Sequence, residues 1–257
     1  MKKIILCVKL VKIINEDNSI SYIVNPYDYC SINLAIVLKK RYNIPIIALT
    51  LGAKKHESAL KELITYGIDE IVLVSDKNFI GSDTLATSYI LSKTIQRIND
   101  VLIVICGNKS YDGGTEQVPI ELAEKLEFPI LTHVLDVENI DFNQKFIYVK
   151  KQYSESNIGL FSSKLPCVMS INSNCYHQKL SKTISGILKM DNYIIKILSG
   201  EDLNIDYSCC GEMGSPTKVI KTERTRINST QSKICFDNIH NSMQYLSEIL
   251  NEKNKDK

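Results

Sequence analysis

The chain has 257 residues, a hydrophobic content of 44%, a charged content of 23% and a formal net charge of +2. These values are ordinary for a globular protein with a sizeable core, and they give no electrostatic reason to expect a nucleic-acid or membrane partner. No stretch approaches the roughly 20 apolar residues that a membrane span requires. The first apolar run, residues 4–8, is too short for a signal peptide, so we expect a cytoplasmic protein with reduced thiols.

The first 130 residues alternate between short apolar runs and segments with helical spacing. The segments with helical spacing predict helices over residues 27–40, 56–66 and 84–98, with Gly67 as the left-handed C-cap of the second helix. The apolar runs predict buried parallel strands, the last of them the weakest, over residues 4–8, 45–51, 70–74, 101–106 and 129–132. This rhythm predicts an α/β fold with an open, mainly parallel sheet that carries helices on both faces.

The pattern changes after residue 132. Residues 133–153 alternate around an Asn/Asp turn and predict an antiparallel ribbon that extends the sheet, and residues 165–171 predict a further strand. A last helix with one apolar stripe is predicted over residues 236–251. We expect residues 1–206 to form the α/β domain with its ribbon, and residues 207–257 to form an extended C-terminal arm that contacts a partner chain.

The loops at the carboxyl ends of the parallel strands are where an open α/β sheet binds ligands. The richest of them, SYDGGTEQ, follows the fourth predicted strand. Gly113 and Gly114 allow the backbone to approach a ligand closely, and a helix capped by Thr115 supplies unpaired N–H groups from a first turn that holds Glu116 and Gln117. This combination predicts a phosphate site. An ordinary capped helix after a tight turn is an equally weighted alternative.

A second candidate is GSDTLATSYIL, in the loop and helix after the third strand. Ser82, Asp83 or Thr84 can cap this helix, and Thr87 lies one turn further on. Together these side chains could hold ribose or phosphate oxygens, although a plain N-cap is the favoured alternative.

A third candidate is NPYD, which follows the loop of residues 9–24 after the first strand. Asn25 is predicted as a helix cap and Pro26 as the first helical residue. Tyr27 offers a ring that can stack on a base. Alone, this motif is a weak signal.

Several kinds of catalytic machinery are missing from the sequence. GxxxxGK[ST], GxGxxG and GxSxG do not occur, which argues against a P-loop, the usual dinucleotide turn and a hydrolase nucleophile. The histidines are scattered, and the cysteines form neither CxxC nor a Cys/His set with zinc-ligand spacing. We therefore predict no catalytic residue and no metal site, and we expect most cysteines to be buried free thiols.

Several sequence blocks stand in an order found in one family. They are IILCVK, NPYD, LGAKKHESALKELITYGIDEIVLVSD, GSDTLAT, CGNKSYDGGTEQVPIELAEKLEFP and GSPTKVIK. With them the chain resembles the small (beta) subunit of electron transfer flavoproteins, closely over residues 1–132 and more loosely in the ribbon and residues 214–221. The resemblance implies a Rossmann-like, adenine-nucleotide-binding fold and a heterodimer with a large (alpha) subunit that holds FAD. It implies an electron carrier between dehydrogenases, the acyl-CoA dehydrogenase type among them, and other redox partners, rather than a stand-alone enzyme.

The resemblance leaves open which nucleotide the small subunit holds. In simple carriers of the family it is AMP, a structural component. In bifurcating members it is a second FAD, which accepts a hydride from NADH and splits the two electrons between acceptors of high and low potential. GSDTLAT resembles the version found in bifurcating members, which favours FAD and bifurcation.

The resemblance also implies a set of cofactor-binding residues. Tyr27 matches an aromatic position that contacts the flavin of the large subunit. The adenosine pocket corresponds to Cys7, Asn25, Pro26, Tyr27 and Asp28, and its next wall to Leu51 and Gly52. The GSDTLAT block contributes Asp83, Thr84 and Thr87. The phosphate turn corresponds to Asp112, Gly113, Gly114, Thr115, Glu116, Gln117 and Val118.

The chain departs from the family pattern at several positions. Asn108 and Lys109 stand where Lys-Gln is usual, and Gly114 stands where Asp is usual. Of the segment that docks acyl-CoA dehydrogenases, matched by residues 172–192, only the GILK run is kept.

A function of another class competes with electron transfer. The same kind of sheet serves regulatory modules such as the universal stress proteins, which bind AMP or ATP without a redox role. The long segment of residues 207–257 favours the flavoprotein, because a free-standing binding module does not need such an arm.

Overall fold

The computed structural model describes residues 1–15, 17–173 and 180–217, together with Met243. The chain separates into two compact units, Met1–Lys218 and Val219–Lys257. The predicted last helix therefore lies outside the described residues apart from Met243, as does most of the predicted arm. The predicted domain boundary after residue 206 stays a prediction.

The mainly parallel sheet is confirmed, and it is larger than the sequence indicated. Nine strands form one sheet, and two further strands pair with each other as a separate antiparallel hairpin. In chain order the strands are β1 (Lys3–Cys7), β2 (Leu10–Ile14), β3 (Ile20–Val24), β4 (Ile46–Leu51), β5 (Glu70–Val74), β6 (Val101–Gly107), β7 (Ile130–Asp141), β8 (Phe146–Gln152), β9 (Ile158–Lys164), β10 (Cys167–Ile171) and β11 (Lys196–Leu198). The sheet has the order β11-β5-β4-β1-β6-β10-β7-β8-β9, and its neighbours are parallel from β11 to β7 and antiparallel from there to β9.

Helices cover both faces of this sheet, as predicted. They are α1 (Asp28–Tyr42), α2 (Glu57–Thr65), α3 (Thr84–Gln96), α4 (Val118–Leu126), α5 (Ile184–Met190) and α6 (Gly200–Leu203). Because successive strand residues point to opposite faces, Ile4 packs in one core cluster with Leu34 of α1, whereas Ile5 packs in the other with Ile90 of α3. The left-handed glycine predicted at the end of α2 is confirmed, since Gly67 has a φ of 98°, although the C-cap itself is Tyr66 and Gly67 is the next residue.

The order of the strands reverses beside β1. The chain runs from β1 through β4 to β5 in one direction, and then crosses back to place β6 on the other side of β1. Ligands of open α/β sheets bind outside the carboxyl ends of the strands at such a reversal. The fold therefore directs attention to the residues that follow β1 and β6.

Strand β7 joins the parallel sheet to the antiparallel ribbon. Ile130 to Val134 pair with the parallel neighbour β10, and Val134 to Asp141 pair with the antiparallel neighbour β8. The predicted antiparallel ribbon that extends the sheet is confirmed. The predicted end of a strand at residue 132 is wrong, because β7 continues to Asp141. The irregular register at His133, whose φ is 52°, lets one strand serve both partners without a break. The third ribbon strand, β9, was not predicted.

The segment between β1 and α1 was expected to be a loop, and it is instead the β2–β3 hairpin. Its strands pair from Leu10 with Val24 to Ile14 with Ile20. At its base the N–H of Asn25 donates to the carbonyl of Lys9 at 2.8 Å. The chain therefore leaves and re-enters the sheet edge at nearly the same point.

Candidate functional site

A cavity of about 590 Å³ opens at the carboxyl edge of the sheet, around the ends of β1 and β6. Its volume is typical of small-molecule sites. Four of the predicted cofactor-binding residues, Pro26, Tyr27, Asp112 and Gly114, do not line it. The others line this single cavity: Cys7, Asn25, Asp28, Leu51, Gly52, Asp83, Thr84, Thr87, Gly113, Thr115, Glu116, Gln117 and Val118.

Asn25 ties together the two loops that meet at the strand reversal. It is 1% exposed, and its Nδ2 donates to Oδ1 of Asp28 at 2.9 Å and to the carbonyl of Lys109 at 3.0 Å. Its Oδ1 accepts a hydrogen bond from the N–H of Tyr111 at 3.1 Å. The segment after β6 is thus fixed to the start of α1 by one buried amide.

This use of Asn25 corrects the predicted helix start. The first residue of α1 is Asp28, Tyr27 occupies the N-cap position, and no side chain caps the helix there. Asn25 cannot serve as the cap because its side chain is committed to the loop after β6. Pro26 accordingly precedes the helix instead of opening it.

Asp28 is a buried carboxylate at the cavity wall. Its Oδ2 accepts a hydrogen bond from the N–H of Lys9 at 2.8 Å, and a Cβ on Gly107 would overlap its Oδ1. Burial raises the pKa of Asp28 to about 7, against the opposing effect of the hydrogen bonds from Lys9 and Asn25. Gly107 is therefore the residue that lets β6 pass so close to this carboxyl group.

The predicted phosphate turn folds around Ser110. The N–H of Gly113 donates to Ser110 Oγ at 3.2 Å, and the N–H of Gly114 donates to the Ser110 carbonyl at 3.0 Å. Gly114 has a φ of 62°, which glycine adopts without strain. The N–H groups of Gly113 and Gly114 are thus engaged within the turn.

The helix after this turn begins later than predicted. Helix α4 starts at Val118 with Gln117 as its N-cap residue, so the prediction that Thr115 caps it is wrong. The reason is Glu116, whose φ of 60° breaks the helical path. No described residue accepts a hydrogen bond from the backbone N–H of Glu116, Gln117 or Val118. These three donors lie at the start of α4 and just before it, beside the cavity, and unpaired N–H groups in such a position favour an anion.

Two lysines stand beside the turn. Lys9 Nζ lies 2.6 Å from Oδ1 of Asp112, and Lys109 Nζ lies 4.7 Å from the ring centroid of Tyr27. Burial would raise the pKa of Asp112, but the hydrogen bond and charge of Lys9 outweigh it and lower that pKa. Asp112 therefore stays ionised and holds the Lys9 ammonium beside the turn.

The opposite wall is built from the GSDT stretch, and the predicted N-cap is confirmed there. Asp83 Oδ1 accepts from the N–H of Ala86 at 3.1 Å, while its Oδ2 accepts from the hydroxyl of Thr217 at 2.6 Å. The hydroxyl of Thr84 donates to Glu121 of α4 at 3.0 Å. Asp83 and Thr84 thus serve the structure of the wall, and Thr87 also lines the cavity.

The residues present suit an adenine nucleotide. Asn108, which is 6% exposed and lines the cavity, has an Oδ1 with no hydrogen-bond partner among the described residues. An amino or hydroxyl group of a ligand is the kind of donor that such an orphaned acceptor needs. The unpaired N–H groups near the start of α4 and the neighbouring lysines could bind phosphate oxygens.

The structure was also searched for metal sites and membrane spans. Within the described part of the chain, no three His, Cys, Asp or Glu side chains are grouped so that they could hold a metal ion. No helix among the same residues has the length and apolar character needed to cross a bilayer.

Comparison with known proteins identifies the family. The model of the electron transfer flavoprotein domain matches residues 13–188. The chain belongs to the electron transfer flavoprotein family. It is 32% identical to the electron transfer flavoprotein subunit beta of Thermoanaerobacterium thermosaccharolyticum, over 90% of this chain and 86% of that protein. It is 30% identical to protein FixA of Azotobacter vinelandii, over 82% and 76% of the two chains. It is 29% identical to subunit CarD of the caffeyl-CoA reductase-Etf complex of Acetobacterium woodii, over 86% and 87%.

Membership of the electron transfer flavoprotein family confirms the function predicted from the sequence blocks. The chain is an electron transfer flavoprotein subunit of the small, beta type, and its function is electron transfer. The alternative of a regulatory module without a redox role is not favoured.

Several cavity residues were not among the predicted ligands. Lys9, Lys54, Lys77 and Lys109 line the cavity together with Asn108. A signal for them existed, since each follows a parallel strand at the sheet edge where ligands bind. The sequence prediction relied on the glycines in these loops and did not consider their lysines as ligands of a phosphate.

Proposed function

We propose that this chain works in the cytoplasm as a heterodimer with a larger, flavin-bearing subunit and binds an adenine nucleotide at the carboxyl edge of its sheet. One observation carries the proposal. A single cavity joins the ends of β1 and β6, the turn before α4 and the loop before α3. These are the elements that the family blocks predicted, in separate parts of the chain, to hold one nucleotide.

The adenosine part would lie against Cys7, Asn25 and Asp28, with Leu51 and Gly52 as the next wall. The phosphate would be held by the unpaired N–H groups of residues 116–118 and by the Lys9 ammonium. These residues bind and orient the nucleotide and exclude water around it. The protein thereby fixes the position of the cofactor, which carries the redox chemistry.

We propose FAD over AMP for this cavity. Its lining does not stop at the phosphate turn but continues to Asp83, Thr84 and Thr87 on the far wall. This extent supports a ligand longer than a mononucleotide. The relative CarD belongs by name to a caffeyl-CoA reductase-Etf complex, which supports a carrier that serves a CoA-dependent reductase. When bound, a second flavin would supply the chemistry for bifurcation of electrons from NADH.

The dehydrogenase partner is proposed to dock on α5. This helix carries the GILK run, and its Ile184 and Leu188 are 80% and 74% exposed. Its other side is fixed to α2, because Thr183 donates its N–H to the carbonyl of Thr65 at 2.7 Å and a Cβ on Gly186 would overlap the backbone there. A rigid helix that presents apolar side chains suits an anchor for an acyl-CoA dehydrogenase-type flavoprotein.

A cofactor count tests the central part of the proposal. The chain is co-expressed with a large electron transfer flavoprotein subunit, the complex is denatured, and FAD and AMP are quantified. Two FAD per heterodimer supports bifurcation. One FAD with one AMP supports a simple carrier and rules out the proposed second flavin. A complex with no nucleotide beyond that of the large subunit contradicts the proposed site.

A variant pair tests the docking helix. Leu188→Ala is expected to lower the rate of electron transfer from the dehydrogenase while cofactor content stays unchanged. Ile20→Ala, which removes an exposed side chain from the β2–β3 hairpin, is the control. Equal rates for both variants and the unchanged protein would rule out α5 as the docking element.

A further inference from the structure

Two cysteines face each other across neighbouring strands at the floor of the cavity. Cys7 ends β1, and Cys106 is its register partner in the parallel strand β6. Partner residues of paired strands project to the same face, and neighbouring strands lie about 4.8 Å apart. That spacing falls within the Cα separations of about 4.4–6.8 Å that disulfides span.

Cys106 belongs to one core cluster, Cys7 packs against that cluster, and both residues line the cavity. Cys106 is buried, and Cys7 is partly exposed. A hydrogen bond with the Cys7 thiol and burial both raise the pKa of Cys106 well above its ordinary value. The pair is therefore unequal, with Cys7 accessible from the cavity and Cys106 a protonated thiol behind it.

Cys167 offers a contrast. Cys167 lies in β10 opposite Ile103, packs in the other core cluster and does not line the cavity. Burial raises its pKa to about 12, its register partner is not a cysteine, and an oxidant in the cavity does not reach it. The position of Cys167 makes it a matched control for the thiol pair.

We propose that Cys7 and Cys106 form a dithiol–disulfide couple that a small-molecule disulfide oxidises when the cavity is empty. The first step is attack of the Cys7 thiolate, after loss of its proton to water, on one sulfur of oxidised glutathione. The S–S bond breaks, one glutathione leaves as a thiolate, and a mixed disulfide forms on Cys7. Cys106 then loses its proton and attacks Cys7 Sγ, which expels the second glutathione. Two protein thiols are oxidised, one glutathione disulfide is reduced, and the two released protons are taken up by the glutathione thiolates.

A nucleotide in the cavity would cover the Cys7 thiol, a consequence that rests on the proposed function. Oxidation of the pair would then report on whether the site is empty. Such a reversible couple is compatible with a reducing compartment, where disulfides are transient.

The test uses the full chain with a measured nucleotide content. It is incubated with oxidised glutathione, free thiols are alkylated, and the peptides are mapped by mass spectrometry. A peptide pair joined through Cys7 and Cys106 is expected. Cys106→Ser and Cys106→Ala should stop at the mixed disulfide on Cys7, and Cys7→Ser should leave Cys106 unmodified. Cys167→Ser should crosslink at the rate of the unchanged protein.

Addition of nucleotide separates the couple from the proposed function. Binding over the thiols slows oxidation by a factor of 1 + [L]/Kd, roughly tenfold when the nucleotide is at ten times its Kd. If calorimetry shows that nucleotide is bound and the rate of crosslinking does not change, the result supports the couple and places the nucleotide elsewhere. The absence of a crosslink in folded, nucleotide-free protein overturns the couple.

Discussion

The ammonium of Lys9 lies 2.6 Å from a carboxylate oxygen of Asp112, so the end of β1 is linked to the turn before α4. Lys9 also donates its N–H to Asp28 and accepts a hydrogen bond from Asn25 at its carbonyl. One residue thus connects the first strand, the start of α1 and the phosphate turn. The geometry of the site depends on all three of these connections.

Lys9→Met is expected to weaken nucleotide binding about tenfold, or about 1.4 kcal/mol. The loss follows from removal of the cation beside the phosphate turn. The stability of the protein should change by less than about 1 kcal/mol, because both partners of the ion pair are half exposed. Calorimetric titration with AMP and FAD measures the first effect, and urea unfolding measures the second.

The control for Lys9 is Lys150→Met, which breaks the exposed pair with Glu138 in the ribbon. It should leave nucleotide affinity unchanged. Equal affinities for the two variants would show that the cation at position 9 does not contribute to binding.

Asn25→Ala should destabilise the fold by about 2–4 kcal/mol. The substitution leaves the N–H of Tyr111 without its acceptor and removes the two hydrogen bonds that the Asn25 side chain donates. The cost is large because Asn25 is only 1% exposed. Asn15→Ala is the matched control, since Asn15 bonds only to exposed partners in the hairpin. Denaturant midpoints of the two variants decide the matter, and similar shifts would mean that Asn25 does not hold the loops together.

Gly107→Ala should cost about 1–3 kcal/mol, because the added methyl group meets the buried Asp28 carboxyl group. The control is Gly52→Ala. Gly52 lines the same cavity, but an added methyl group there would meet Leu73 and Thr50 at an ordinary contact distance of 3.8 Å. That control should change stability by less than about 0.5 kcal/mol. Thermal unfolding of both variants tests the contrast. If Gly107→Ala is as stable as the control, β6 does not approach Asp28 as closely as described.

Asp28 makes stability depend on pH in an unusual direction. Its pKa is about 7 in the folded chain and near 4 when unfolded, so the folded state binds more protons between these values. The stabilising contribution of this group is fully present below about pH 4 and is lost as pH rises through about 7. Relative to Asp28→Asn, which cannot ionise, the unchanged protein should lose stability between pH 5 and pH 8.

Urea unfolding of both proteins across this pH range measures that difference. Asp76→Asn serves as a comparison, because the hydrogen bonds to Asp76 from Asn78 and Gly200 outweigh its burial and lower its pKa. A constant difference between the unchanged protein and Asp28→Asn would contradict the raised pKa.

The sequence predicted most of the parallel core, because each buried strand there is a continuous apolar run and each helix keeps its period. The hairpin was missed because its first strand, LVKII, does not alternate between polar and apolar residues, and because a loop was the expected connection between a strand and a helix. The insertion of β10 between β6 and β7 could not be predicted, since pairing over such sequence distances leaves no local pattern.

At the site, the sequence located the loops but not the roles of their atoms. Asn25 and Asp83 both looked like helix caps, and only Asp83 is one. The difference arises from the loop after β6, which reaches Asn25 through space. The positive φ of Glu116, which delays the start of α4, is likewise a property of the folded turn that the residue type does not signal.

Because the base of the β2–β3 hairpin is closed, the length of the hairpin can change without changing the geometry of the cavity. Because Lys9 and Asn25 are joined directly, residues can be added to or removed from the hairpin tip while the strand ends below stay in register. In evolutionary terms, the tip can change in length, whereas Val11 and Val24 are buried and Tyr22 stacks on His56. In practical terms, a label can be attached at the tip without disturbing the strand ends that surround the cavity.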